Sequence, residues 1–99
     1  MSANTVQLGR LSDRIRALGD ITRLHIVTLL ADGERCQREI KDELGTSQSL
    51  LAFHLKILTE AGLVRGRRRG KWVLYSICRD QIQEIEAFMR EIRAPKLRT

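Results

Sequence analysis

Positions 8, 11, 15 and 18 are Leu, Leu, Ile and Leu, an i, i+3, i+7, i+10 stripe. That spacing puts all four on one face of a helix. Gly19 is placed to end this helix and Asp20 to cap the next. The next, ITRLHIVTLLA, is apolar at Ile21, Leu24, Val27 and Leu30 with further apolar neighbours, which predicts a well-buried helix closed by Asp32-Gly33. His25 within it is expected to be buried. A short helix over Cys36 to Leu44 follows, with Ile40 and Leu44 on one face. Gly45 breaks it, and Thr46 or Ser47 can cap a further helix that turns Leu51, Leu55 and Leu58 inward and ends at Gly62. Two helices joined by a tight Gly-containing turn, the second well capped, form a helix-turn-helix pattern.

The period then changes. LVRGRRRGKWVLYSI reads as two short strands around a turn at Arg69-Gly70. Trp72, Leu74 and Ser76 alternate with Val73, Tyr75 and Ile77 in a β-rich composition. Asp80 can cap a last helix, with Gln83 completing a capping box. Ile82, Ile85, Met89 and Ile92 repeat the stripe of the first helix, Phe88 widens it, and Pro95 marks its end. The expected architecture is a single domain over residues 1–99, mainly α with a small β-hairpin: a winged helix-turn-helix. The matching seams, Leu8, Leu11, Ile15 and Leu18 against Ile82, Ile85, Met89 and Ile92, predict a homodimer through the first and last helices. The plainer alternative is packing within one chain alone.

Composition narrows the class. Only four residues are aromatic (Phe53, Trp72, Tyr75 and Phe88), so the core must be aliphatic. No stretch approaches the roughly 20 apolar residues of a membrane span, and MSANTVQLGR lacks the charged-then-apolar pattern of a signal peptide. A cytoplasmic protein with reduced thiols and no membrane partner is expected. The net charge is +6, and five of those positives fall in RGRRRGK, residues 65 to 71, on the hairpin tip. Basicity so concentrated points to a polyanion, above all nucleic acid.

The helix beginning at Ser47 would present Ser47, Gln48, Ser49, Ala52, Phe53 and Lys56 to the major groove of double-stranded DNA. Gln48 suits adenine, Ser49 a base edge or phosphate, Ala52 or Phe53 a thymine methyl, and Lys56 a phosphate or guanine. Arg67, Arg68, Arg69 and Lys71 would track phosphates from the wing. The alternative for Gln48 and Ser49 is that they only cap and solvate the helix.

RALGDITRLHIVTLL, SQSLLAFHLKILTEAGLV and RGRRRGKWVLYSI resemble, in that order, the corresponding stretches of the ArsR/SmtB family of bacterial repressors, over about residues 10 to 92. The resemblance implies a homodimeric transcriptional repressor that binds a palindromic operator and is released by a chemical signal. Family members often carry a hydroxyl residue where this chain has Leu50 and Ala52, which puts more weight on methyl contacts here. Metal-sensing members carry a Cys-x-Cys motif in the helix before the turn. The matching stretch, Glu34-Arg35-Cys36-Gln37-Arg38-Glu39-Ile40, keeps the first cysteine and has Arg38 at the second position. The family's other common site uses Asp and His on the last helix, where this chain has Asp80 and no histidine. No metal site and no cofactor are therefore expected, and His25 and His54 read as packed helix residues without metal-ligand spacing.

The sensing candidates are Cys36, whose thiolate Arg35 and Arg38 should favour against Glu34 and Glu39, and Cys78, between wing and last helix. Oxidation or persulfidation ranks ahead of arsenite or a thiophilic metal bound through Cys36, and two inert thiols are the plain alternative. The small inorganic inducer is not identified by these residues. No catalytic constellation appears, so an enzyme is not expected. A non-sensing winged-helix regulator, or a non-specific architectural nucleic-acid binder using the wing's charge alone, is the competing reading.

Overall fold

The computed structural model describes residues 4–95 and orders them as helices α1 (Thr5–Leu18) and α2 (Ile21–Ala31), strand β1 (Arg35–Cys36), helices α3 (Gln37–Leu44) and α4 (Gln48–Glu60), strands β2 (Val64–Arg69) and β3 (Trp72–Ile77), and helix α5 (Arg79–Arg93). Residues 1–3 and 96–99, which the expected domain span of 1–99 includes, lie outside the described residues. No described helix is long and apolar enough to cross a membrane.

The caps follow local chemistry. Asn4 accepts from the Gln7 N–H while the Gln7 side chain accepts from the Asn4 N–H, a reciprocal box at the start of α1. Asp20 accepts from the Arg23 N–H at α2, and Ser47 from the Leu50 N–H at α4. Gly45, at φ 64°, closes α3 in the left-handed conformation that makes the tight turn possible. At α5 the expected Asp80 cap is corrected to Cys78. The Cys78 N–H donates to the Leu63 carbonyl, holding the chain extended up to that residue. The helix starts immediately after, leaving Asp80 in its first turn, where a carboxylate suits the helix dipole.

The core is aliphatic: Ala17, Ile26, Leu30, Ile40, Leu51, Leu55, Leu58, Leu63 and Val64. The expected face of α2 holds at Leu30, which is buried, and at Val27, which packs against the core, and fails over its first half. Ile26 and Leu30 are buried, whereas Ile21 is 83% and Leu24 49% exposed, and His25 is exposed rather than buried. At about 100° per residue, Ile21 and Leu24 lie opposite the Ile26–Leu30 edge. An almost uniformly apolar segment offers little to distinguish the two faces.

The sheet has three antiparallel strands in the order β1-β3-β2, one more than the expected hairpin. β1 pairs Arg35 with Tyr75 and Cys36 with Leu74, so α3 begins at Gln37 rather than Cys36. Arg69 pairs with Trp72, which moves the turn to Gly70-Lys71. Gly70 has φ 61° and Lys71 is not left-handed, as in a two-residue hairpin loop with glycine first.

α5 buries none of its residues fully within the chain. The proposed dimer seam divides: Leu11 is buried, Leu18, Ile82 and Ile85 pack against the core, and Leu8, Ile15, Met89 and Ile92 remain exposed. Arg14 and Glu84 form an ion pair that ties α1 to α5. The radius of gyration is 15.7 Å, against about 13 Å for a compact 100-residue domain. Apolar helix surface on α1 and α5 is thus left uncovered within the chain.

Candidate nucleic-acid interface

α4 supplies the reading face. Leu51, Leu55 and Leu58 are buried beneath it, and Gln48, Ser49, Ala52, Phe53 and Lys56 all project outward, as expected. Phe53 is 55% exposed and Leu50 47%, large apolar surfaces on an otherwise polar row. Such groups suit thymine methyls. Ser47 is occupied at the helix head by the Leu50 N–H.

The seat of α4 is fixed by His54, expected as a packed helix residue with one satisfied nitrogen and found as one. His54 is buried, and its Nδ1 lies 3.1 Å from Arg23 Nη1. A guanidinium only donates, so Nδ1 accepts. Arg23 Nε also donates to the Ala17 carbonyl, so one guanidinium joins α1, α2 and α4. The Phe53 ring meets the His54 ring edge-on at 5.3 Å. The Arg23 N–H, followed by the guanidinium charge of Arg23, holds the Asp20 carboxyl below its ordinary pKa.

The wing's cations divide by strand alternation. Arg65, Arg67 and Arg69 pair with Ser76, Leu74 and Trp72, and Arg68 with Val73. Paired residues share a face, so Arg68 stands on the side of Val73 and Tyr75, apart from its three fellows. Gly66 sits opposite Tyr75, where a Cβ would come within 3.0 Å of the ring, so the absence of a side chain lets Tyr75 lie across the strand. Arg67 is not free. Its Nε and Nη2 donate to Glu34 at 3.0 and 2.9 Å. That bidentate pair lowers the Glu34 carboxyl pKa and raises that of Arg67, the hydrogen bond being the larger cause in both. Lys71 lies 5.3 Å from the Trp72 ring centroid, a cation–π contact at the tip.

Both cysteines are free thiols of intermediate exposure. Beside Cys36, Arg35 Nε donates to the Leu29 carbonyl, and the Glu39 carboxylate accepts from the Cys36 N–H at 2.9 Å. The Cys36 N–H, and then its thiol, depress the Glu39 pKa. Cys36 pairs with Leu74, four residues before Cys78. At ~3.3 Å per residue this separates the cysteines by about 13 Å, beyond the about 7 Å limit for bridging them without backbone movement. Among the described residues no group of three or more His, Cys, Asp or Glu could hold a metal ion.

The family model that matches this chain is described as bacterial regulatory protein, arsR family, and covers residues 20–65. An uncharacterized HTH-type transcriptional regulator of Methanocaldococcus jannaschii is 42% identical over 78 residues, 78% of this chain and 88% of that protein. The HTH-type transcriptional repressor SmtB of Mycobacterium tuberculosis is 41% identical over 71 residues, 72% of this chain and 53% of the repressor, so the match spans about half of that relative. Among solved structures, the homodimeric winged helix-turn-helix DNA-binding domain of a possible ArsR-family regulator from Mycobacterium bovis superposes with a TM-score of 0.76. It shares 27% identity, with 94% of this chain and 90% of that one covered.

Proposed function

We propose that this chain, which belongs to the ArsR family of DNA-binding transcription regulators, represses transcription as a homodimer bound to an inverted-repeat operator and is released through its thiols. It is a transcription regulator and not an enzyme. The observation that carries the reading is the outward row of Gln48, Ser49, Ala52, Phe53 and Lys56 beside a wing bearing Arg65, Arg67, Arg68, Arg69 and Lys71. The helix presents hydrogen-bonding and apolar groups for base edges, and the wing presents charge for phosphates. A homodimer is supported by the exposed Leu8, Ile15, Met89 and Ile92 and by the homodimeric relative. Dimer symmetry would set two reading helices about 34 Å apart on one side of the duplex, which is why the site should be palindromic.

Two arguments support a thiol-directed signal. Cys36 pairs across from Leu74 on β3, and Cys78 directly follows the last residue of that strand at the head of α5. Chemistry at either thiol therefore acts on the strand that forms half of the wing. Peroxide would oxidise the thiol to a sulfenic acid and be reduced to water, and a persulfide donor would pass its outer sulfur to the thiolate, its own S–S bond breaking and the remainder leaving as a thiol. One thiol at each place does not assemble a three-sulfur arsenite site within a chain, so a metalloid would need ligands from both protomers.

Footprinting of the chain on its own upstream DNA tests the first part. One protected inverted repeat, bound at least ~10³-fold tighter than random duplex at fixed salt, is expected. Equal protection of all sequences would mean an architectural binder. Peroxide, a persulfide donor and arsenite, applied separately to wild type and to a Cys36→Ser, Cys78→Ser variant, test the second. An unaltered release in the variant would end thiol sensing.

A further inference from the structure

Between α3 and the wing lies a cleft of about 460 Å³, lined by Gln37, Arg38 and Lys41 on one side and Lys71 and Trp72 on the other, with Gln48, the first residue of α4, at its end. Three of these residues are cationic and no carboxylate lines the cleft. Among the described residues, Arg38, Lys41 and Lys71 form no ion pair, in contrast to Arg67 and Glu34. Arg38 and Lys41 lie three apart on α3, so both reach the same side of that helix. Unneutralised charge converging from two elements costs electrostatic free energy that an anion would relieve.

The position of the cleft selects the anion. On one flank stands α4, read above as the major-groove helix, and on the other the wing, read above as tracking phosphates. The major groove is bordered by sugar–phosphate backbone, so a backbone lying beside α4 toward the wing passes between Gln48 and Lys71, over the cleft.

We infer that this cleft seats a backbone phosphate of duplex DNA, gripped by Arg38 and Lys41 from α3 and by Lys71 from the wing, with Gln37 as an uncharged donor. The inference rests on the DNA-binding reading above and adds α3 to the contacts. Trp72 holds Lys71 at the rim through the cation–π contact, so that the lysine does not need to be ordered at the moment of binding. The grip is sequence-independent and closes the gap between the reading helix and the wing.

The test uses the intact chain and a random-sequence duplex, because the phosphate term does not depend on the operator. An Arg38→Ala, Lys41→Ala variant should reduce the magnitude of the slope of log K against log salt by about 0.9 for the one lost phosphate. Arg38→Lys with Lys41→Arg should retain the wild-type slope. Arg10→Ala, on α1, serves as the control for net charge and should leave the slope unchanged. Trp72 is the chain's single tryptophan and lines the cleft, so it reports locally. Saturating duplex should shield it from iodide quenching in the wild type and much less so in the double variant. Slope and shielding unchanged in Arg38→Ala, Lys41→Ala, while loss of the wing cations still flattens the slope, would overturn the inference and leave DNA binding standing. Shielding by inorganic phosphate alone, with no change in duplex binding by the variant, would make the cleft a small-anion site and also overturn it. A wild-type chain that binds no duplex at any salt would bring down the underlying reading as well.

Discussion

Arg67 donates two hydrogen bonds to the Glu34 carboxylate, 3.0 Å from Nε and 2.9 Å from Nη2, tying β2 to the residue just before β1. The pair is exposed, so its contribution to stability is small. Its effect falls on binding, because a guanidinium held by a carboxylate must leave it to meet a phosphate. Glu34→Gln should strengthen binding to any duplex and steepen the salt slope by up to about 0.9. Fluorescence anisotropy against salt concentration reads both. Arg67→Ala should cost less affinity than Arg68→Ala, since Arg67 is held by a carboxylate and Arg68 pairs with none among the described residues.

Gln48 and Ser49 should choose sequence rather than supply affinity. Gln48→Ala is expected to remove about 1–3 kcal/mol of discrimination at one base pair. Binding to random duplex should stay nearly constant. A selection from a randomised operator, repeated with the variant, shows which position relaxes. Equal losses on operator and random DNA would assign Gln48 to helix solvation.

Met89 and Ile92 are 46% and 60% exposed on α5, so charge there leaves the chain's own core intact. A Met89→Glu, Ile92→Glu variant should remain folded and become monomeric in sedimentation. Losing the second reading head should weaken operator binding by about 10²–10⁴-fold. A variant that stays dimeric would move the seam elsewhere on the surface.

The separation of Cys36 and Cys78 predicts the product of oxidation. Peroxide treatment followed by intact-mass measurement should give sulfenic acid adducts or cross-linked dimers, and no intrachain disulfide in the folded protein. An intrachain bridge formed under native conditions would require β3 to leave its pairing with β1.

Asp20 sets an acid limit. The Arg23 N–H and guanidinium lower its carboxyl pKa in the folded chain. The folded state therefore binds the proton less readily than the unfolded state. The stabilisation is complete above the ordinary carboxylate value of about 3.9 and is lost as the pH falls through the depressed folded value. Asp20→Asn keeps a good cap and removes this ionisation. Thermal midpoints of the two proteins should differ at neutral pH and converge in acid.

The helix-turn-helix and the wing were legible because each rests on local periodicity. Leu51, Leu55 and Leu58 mark a face by themselves, and so do the alternating residues from Trp72 to Ile77. The third strand was not legible, since two residues, Arg35 and Cys36, carry no period and form a strand only because β3 lies beside them. The same distance in sequence hides the Glu34–Arg67 pair and the phosphate cleft, whose parts come from three elements. Asp80 is a good cap by composition, yet the bond from Cys78 to Leu63 decides where α5 begins. The face of α2 was misread over its first half because Ile21 and Leu24 are as apolar as Ile26 and Leu30, and tertiary packing alone separates them.

The alternation of β2 carries a last consequence. Val64 is anchored in the core and Arg67, Arg68 and Arg69 follow it on alternate faces. Loss of Arg65 or Gly66 would send each of those arginines to the opposite side while leaving all three in the wing. Insertions and deletions in this arm should therefore be tolerated in twos and damaging in ones, so that its permitted lengths form a parity rule rather than a range.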